Sequence, residues 1–121
     1  MVFEFNNNAP IYLQIVDKIK IAIISGELKP GERLPSVRDL AVETKVNPNT
    51  MQKAMVELEE LELIFTERTN GKFVTNDTSL LNSLKQKLAE ELAVSFINNM
   101  RNIGFSVTDT VNYIERFKES M

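Results

Sequence analysis

Neither cysteine nor histidine occurs anywhere in the 121 residues, and their absence removes several classes of chemistry at once. Disulfide staples, thiol nucleophiles, imidazole catalysis and zinc sites built on Cys or His are all excluded. Long apolar runs are missing as well. None approaches the ~18 residues a membrane-spanning helix needs, so no membrane span is expected. Met1-Val2-Phe3-Glu4-Phe5 lacks a basic start followed by an apolar core and does not read as a signal peptide. Asn76-Asp77-Thr78 matches the glycosylation sequon, but without export it is incidental. Gly31 stands in a Pro- and Gly-rich connection with no G-x-x-x-x-G-K-S/T pattern around it, so it reads as a turn and not as a phosphate loop. With no catalytic constellation in view, the sequence predicts a cytoplasmic protein that is not an enzyme and takes no cofactor and no metal.

What is present centres on Pro30 to Ile64, PGERLPSVRDLAVETKVNPNTMQKAMVELEELELI. Ser36 can N-cap a short helix, with Asp39 three residues on as half of a capping box. Leu40 and Ala41 give that helix a small apolar face. A second helix starts in Asn47-Pro48-Asn49-Thr50, where Asn47 can cap and Pro48 suits the first helical position. Met51, Ala54, Met55, Leu58 and Leu61 follow at helical spacing. A short helix, a tight turn and a longer helix with a polar amino end describe a helix-turn-helix, whose second helix is expected to enter a DNA major groove with its first turn nearest the bases.

The flanking segments complete a small fold. A helix is predicted from Pro10 to Ser25, closed by Gly26. Ile11, Tyr12, Ile15, Val16, Ile19, Ala22 and Ile23 share one face of it, while Leu13, Ile21 and Ile24 fall elsewhere. Those three are either a second packing surface or scattered exposed aliphatics. Leu28 and Leu34 are expected to anchor the connection to the core. Leu63 to Thr66 and Phe73 to Thr75 read as two strands around an Asn70-Gly71 turn. The fold class is therefore mainly α with a small β-hairpin, a winged helix-turn-helix over residues 1–76 followed by a two-helix tail over 77–121.

In that tail Leu80, Leu84, Leu88, Leu92, Phe96 and Met100 recur every four residues, a row that drifts about 40° per step around a helix. Gly104 ends the helix, and Ser106 with Asp109 starts another whose apolar face is Val107, Val111, Ile114 and Phe117. A piece this small does not bury its own core securely. It is expected to pair two copies into a homodimer through Leu84, Leu88, Leu92, Phe96 and Met100, with intramolecular packing alone as the alternative. Nothing after the wing is long enough for a separate effector domain, and the small-molecule effector is left open.

PGERLPSVRDLA, NPNT and the later GKFV resemble the DNA-binding domain of GntR-family bacterial transcription regulators over roughly Pro10 to Val74. The short remainder resembles the YtrA-like subfamily, with its small two-helix tail. The resemblance implies a winged helix that binds double-stranded operator DNA, and it implies a DNA-contacting arginine where Arg38 stands. Two positions depart from the family pattern. Glu62 stands where a glycine is usual before the wing, and Glu67-Arg68-Thr69-Asn70 where a more basic, glycine-rich run is common. Many relatives outside the subfamily carry an arginine where Pro48 stands, so their operator sequences do not transfer.

The side-chain chemistry assigns candidate roles. Arg38 suits a bidentate contact to guanine, Asn49 and Gln52 suit adenine, Thr50 a phosphate, and Lys53 a phosphate or guanine. Ser36 caps its helix and can touch a phosphate. Arg33, Arg68 and Lys72 fall beside the helix-turn-helix and wing as backbone-directed cations. The net charge is −3 and the isoelectric point about 5.0, which runs against the basic character common in DNA-binding domains. Residues 1–78 carry nine Lys/Arg against twelve Asp/Glu, so any attraction to DNA rests on where the cations sit. The expected function is a sequence-specific, dimeric transcription regulator, a repressor on a palindromic operator. A winged helix that binds another protein and not DNA is the alternative.

Overall fold

The first helix, α1 (Ile11–Ser25), begins one residue later than expected and lacks a side-chain cap at Pro10. Its start is secured differently. The Gln14 side chain clasps the preceding leader, accepting from Asn6 N–H at 3.0 Å and donating to the carbonyls of Asn6 and Ala9 at 2.9 and 2.7 Å. Gly26, at φ 86°, closes the helix in the left-handed conformation that costs glycine nothing. The computed structural model describes residues 3–121, so the first two residues of the leader lie outside them.

Two short helices follow. In α2 (Val37–Thr44) the Ser36 side chain accepts from Asp39 N–H at 3.1 Å, as its position in the sequence requires. Lys45 then turns left-handed at φ 58°, and Val46 N–H returns to the Ala41 carbonyl at 3.0 Å. In α3 (Pro48–Glu60) Asn47 caps the Asn49 N–H at 2.8 Å, with Pro48 in the first turn. The helix ends in the same way as α2. Glu62 N–H bonds the Glu59 carbonyl and Leu63 N–H the Leu58 carbonyl, which places Glu62 at φ 62°.

The wing is an antiparallel pair, β1 (Ile64–Glu67) and β2 (Gly71–Val74), in the register Ile64↔Val74 through Glu67↔Gly71. The hairpin expected around Asn70-Gly71 forms, with its turn at residues 68–70. Arg68, Thr69 and Asn70 make a three-residue loop, Asn70 N–H bonds the Glu67 carbonyl at 3.2 Å, and Gly71 alone takes positive φ, at 101°. Gly71 stands directly opposite Glu67 in the ladder, and as glycine it takes the positive φ that closes the loop without a side-chain clash. The connection before α2 runs alongside as a third edge, with Val74 N–H donating to Glu32 and Leu34 N–H to Lys72.

The core lies between α1, α2, α3 and the root of the wing. Ile15, Ile19 and Ile23 of α1, Leu40 and Ala41 of α2, Met51, Met55 and Leu58 of α3, and Leu63, Ile64 and Val74 at the root of the wing are all buried, with α3 packed against α1, α2 and β1 and with Leu28 and Leu34 buried in the connection. On α1 the residues expected to share one face divide: Ile15, Val16, Ile19, Ala22 and Ile23 are buried, Tyr12 is half-buried and Ile11 is exposed. Of the three expected elsewhere, Leu13 and Ile21 are exposed and Ile24 is half-buried.

Contacts divide the chain into two compact units, Met1–Ser83 and Leu84–Met121. The helix α4 (Thr78–Asn102) starts in the first unit, where Asp77 accepts from Leu80 N–H at 3.0 Å and Leu81 is buried. In the second unit Gly104, at φ 99°, reverses the chain and α5 (Val107–Phe117) follows. Ser106 and Asp109 form the expected capping box. Tyr113 packs edge-on against Phe105 and tilts against Phe117. The fold is thus mainly helical with one hairpin, a winged helix-turn-helix followed by two tail helices.

Candidate nucleic-acid interface

The recognition face follows from which side of α3 the core consumes. Met51, Ala54, Met55 and Leu58 are buried, so Asn49, Gln52, Lys53 and Val56, at the complementary spacing, project into solvent. Thr50 is half-buried at the flank. Amides, a cation and one exposed valine therefore line a single helical face that starts at the Asn47-capped amino end. Val56 was not among the sequence-predicted site residues. Its spacing from Gln52 and Lys53 was the available signal.

Lys53 does not wave freely. Its Nζ lies 4.0 Å from the centroid of the Tyr12 ring on α1, where the negative face of the π system orients an ammonium without neutralising it. Tyr12, expected only as part of the core face, thereby becomes a support for the recognition helix.

Arg38 sits in the first turn of α2, exposed, and among the described residues it has no ion-pair partner. The surface ion pair with Asp39 or Glu43 that could have occupied it does not form. Ser36 is exposed at the same helix end with its hydroxyl oxygen committed to the cap. Arg33 lies over the wing: a side chain built on Gly71 would meet its Nε at 3.4 Å, so glycine there leaves the guanidinium room to approach the hairpin backbone. Arg68 is exposed on the loop. Arg33, Ser36, Val37 and the hairpin from Thr66 to Lys72 line one cleft between the start of α2 and the wing.

Lys72 is placed differently from the other cations. Its ammonium is paired with the Glu59 carboxylate of α3 and also donates to Thr66 Oγ1 at 3.0 Å. Thr66 in turn donates to the same Glu59 oxygen at 2.6 Å. The Lys72 ammonium and the Thr66 hydroxyl, in that order, hold the Glu59 carboxyl below the usual carboxylate range against a smaller opposing effect of burial. The wing-tip cation expected to face a phosphate is thus held by α3 in the free protein. Neither Glu59 nor Thr66 was singled out from the sequence, because the pairing depends on hairpin register.

The proposed association residues lie in α4. Leu84, Leu88 and Met100 are half-buried, and Leu92 and Phe96 are exposed.

A profile of bacterial regulatory proteins of the gntR family matches residues 11–74. Over 116 residues the chain is 39% identical to the HTH-type transcriptional regulator YhcF of Bacillus subtilis, covering 96% of each protein. It is 39% identical over 88 residues to the HTH-type transcriptional repressor YtrA of the same organism, covering 71% of this chain and 68% of that protein. Among solved structures, a GntR family transcriptional regulator from Listeria monocytogenes superposes with a TM-score of 0.85 at 38% identity, over 93% of this chain and 98% of that one.

Proposed function

Because this chain belongs to the gntR family of bacterial regulatory proteins, and is a DNA-binding regulator rather than an enzyme, we propose that it is a dimeric repressor that occupies a palindromic operator in the cytoplasm. Residues 1–76 bind DNA and residues 77–121 join two copies. The observation that carries this reading is the division of α3, with one face wholly in the core and the other presenting Asn49, Gln52 and Lys53 to solvent. Asn49 and Gln52 read base edges, Val56 extends the face toward thymine methyls, and Arg38 reaches a guanine from α2. Arg33, Ser36, Thr50, Lys53 and Arg68 fix the register on phosphates. The repressor role is supported by the likeness to YtrA, whose name describes a repressor.

Selection of binding sites from a random duplex library by the full chain tests the reading. Recovery of an inverted repeat, with an affinity that falls steeply as salt rises, is the expected result. Recovery of no preferred sequence, or binding indifferent to salt, would overturn it in favour of a protein-binding winged helix. On the selected duplex, Arg38→Ala should cost roughly 1–3 kcal/mol per site and narrow the gap to random DNA. Arg68→Ala should weaken all duplexes alike and lower the salt slope by about one per contact. An Arg38→Ala loss shared equally by all sequences would make Arg38 a backbone clamp.

A further inference from the structure

We propose that Glu59, Thr66 and Lys72 form a polar clamp that sets the position of the wing against the recognition helix, and that Lys72 acts through this clamp and not as a phosphate contact. The proposal rests on the DNA-binding reading for its consequence but not for its geometry. Thr66 and Lys72 are cross-strand partners, so their side chains share one face of the hairpin. Ile64 and Val74 lie on that same face two residues toward the root, and both are buried. Phe65 and Phe73 stack on the opposite face, ring centroids 5.7 Å apart. Burial therefore fixes the root of the hairpin, but apolar packing ends at Ile64 and Val74. Beyond them the three-membered hydrogen-bond set is what joins the inner face to α3.

Its geometry suits positioning. The Glu59 Oε1 receives both the ammonium and the hydroxyl, and the ammonium also reaches the hydroxyl oxygen, so each member restrains the other two. The Lys72 side chain is only 16% exposed, which leaves little of it for a ligand. Wing-tip cations and the reading face of α3 must engage one duplex together. The bonds of β2 to residues 31–34 tie the hairpin to the connection and not to α3, so without the clamp its distance from α3 would vary, and Arg68 would then meet phosphates at variable distance from the bases read by α3.

The two roles for Lys72 give opposite signs. The full chain is titrated with its selected duplex for the wild type, Lys72→Met, Glu59→Ala, and the exchanged pair Glu59→Lys with Lys72→Glu. Amide exchange across residues 64–74 is followed without DNA. The clamp predicts faster exchange in both single variants and affinity lowered severalfold in both, even though Glu59→Ala removes a negative charge from a DNA-binding surface. It also predicts a salt slope unchanged in Lys72→Met and recovery of affinity and protection in the exchanged pair. A slope lowered by about one in Lys72→Met, tighter binding by Glu59→Ala, or an exchanged pair worse than either single variant would make Lys72 a phosphate contact that Glu59 masks, and would overturn the proposal. Unchanged wing exchange overturns it as well. If the wild type selects no duplex, the functional reading fails on its own, and the exchange data still decide whether the clamp exists.

Discussion

Every buried apolar side chain among the described residues lies between Ile15 and Leu81, and beyond Leu81 the buried side chain is Thr110. The two compact units thus differ in kind. In the first, three helices and a hairpin close over a common core, although Ile11, Leu13, Ile21, Val42, Val56, Leu61 and Phe65 stay exposed around it. In the second, Leu92, Phe96, Ile103, Val111, Ile114 and Phe117 all remain exposed, although its local signals are at least as clear: a left-handed glycine, a full capping box and a chain of aromatic contacts. Caps and propensity set where helices begin and end. They do not supply burial, and a short two-helix piece has too little surface to supply its own. Exposed apolar residues in such number suit a surface that associates, which supports the proposal of a homodimer joined through the tail.

The largest expected effect tests the first half of the contrast. Leu58 is fully buried between α3 and the rest of the core, so Leu58→Ala should destabilise the protein by about 2–5 kcal/mol. The loss should be the same at low and high protein concentration when followed by denaturant unfolding. A loss well below 1 kcal/mol would mean that the first unit is less closely packed than its burial implies.

The next effect tests the second half. Leu88 is half-buried in a single chain, so Leu88→Asp should cost little to one copy alone and several kcal/mol where a second copy would cover the carboxylate. Sedimentation should show the wild type as a dimer and the variant as a monomer. The wild-type unfolding midpoint should rise with protein concentration, and that dependence should vanish in the variant. A stable, fully dimeric Leu88→Asp protein would move the interface off this stretch of α4 and weaken the contrast between the units.

The same contrast explains what could be read from the chain beforehand. Ser36, Asn47, Pro48, Gly26 and the Ser106–Asp109 box were legible because each acts within a few residues of itself. Helical periodicity selected Met51, Ala54, Met55 and Leu58 of α3 correctly, but it also picked Leu61, which caps the helix and is exposed. Arg38, Asn49, Gln52 and Lys53 could be named from chemistry and resemblance. The Asn70-Gly71 dipeptide signalled the hairpin correctly but not its loop, which is made by Arg68, Thr69 and Asn70 with Gly71 already in β2, because the register of the two strands decides where the loop begins. The pairing of Lys72 with Glu59 and the support of Lys53 by Tyr12 were hidden for a related reason. Each joins residues far apart in the sequence, 13 positions in one case, through the packing of one element on another. Local pattern does not encode such distances.

The smallest predictions compare how the two units reverse direction. Both use a left-handed residue after a helix, Glu62 after α3 at φ 62° and Gly104 after α4 at φ 99°. Only the second has the residue suited to it. A side chain in this conformation costs roughly 1–2 kcal/mol, part of which glycine returns through the larger freedom of its unfolded chain, about 0.4–1 kcal/mol. Glu62 also places a carboxylate at the negative end of a helix, an unfavourable site worth a few tenths. Glu62→Gly should therefore stabilise the first unit by about 0.5–1 kcal/mol. At Gly104 an added methyl would meet nothing within 4 Å, so Gly104→Ala should cost about 1 kcal/mol from backbone strain alone. Amide exchange of the free protein separates the consequences. The gain from Glu62→Gly should slow exchange throughout α1 to α3, because those helices share one core. The loss from Gly104→Ala should speed exchange in α5 and leave α1 to α3 untouched, if the tail opens as its own unit. Should Gly104→Ala instead loosen α1 to α3 by the same amount, the two units unfold together, and the division between a self-sufficient winged helix and a dependent tail would hold in burial but not in cooperativity.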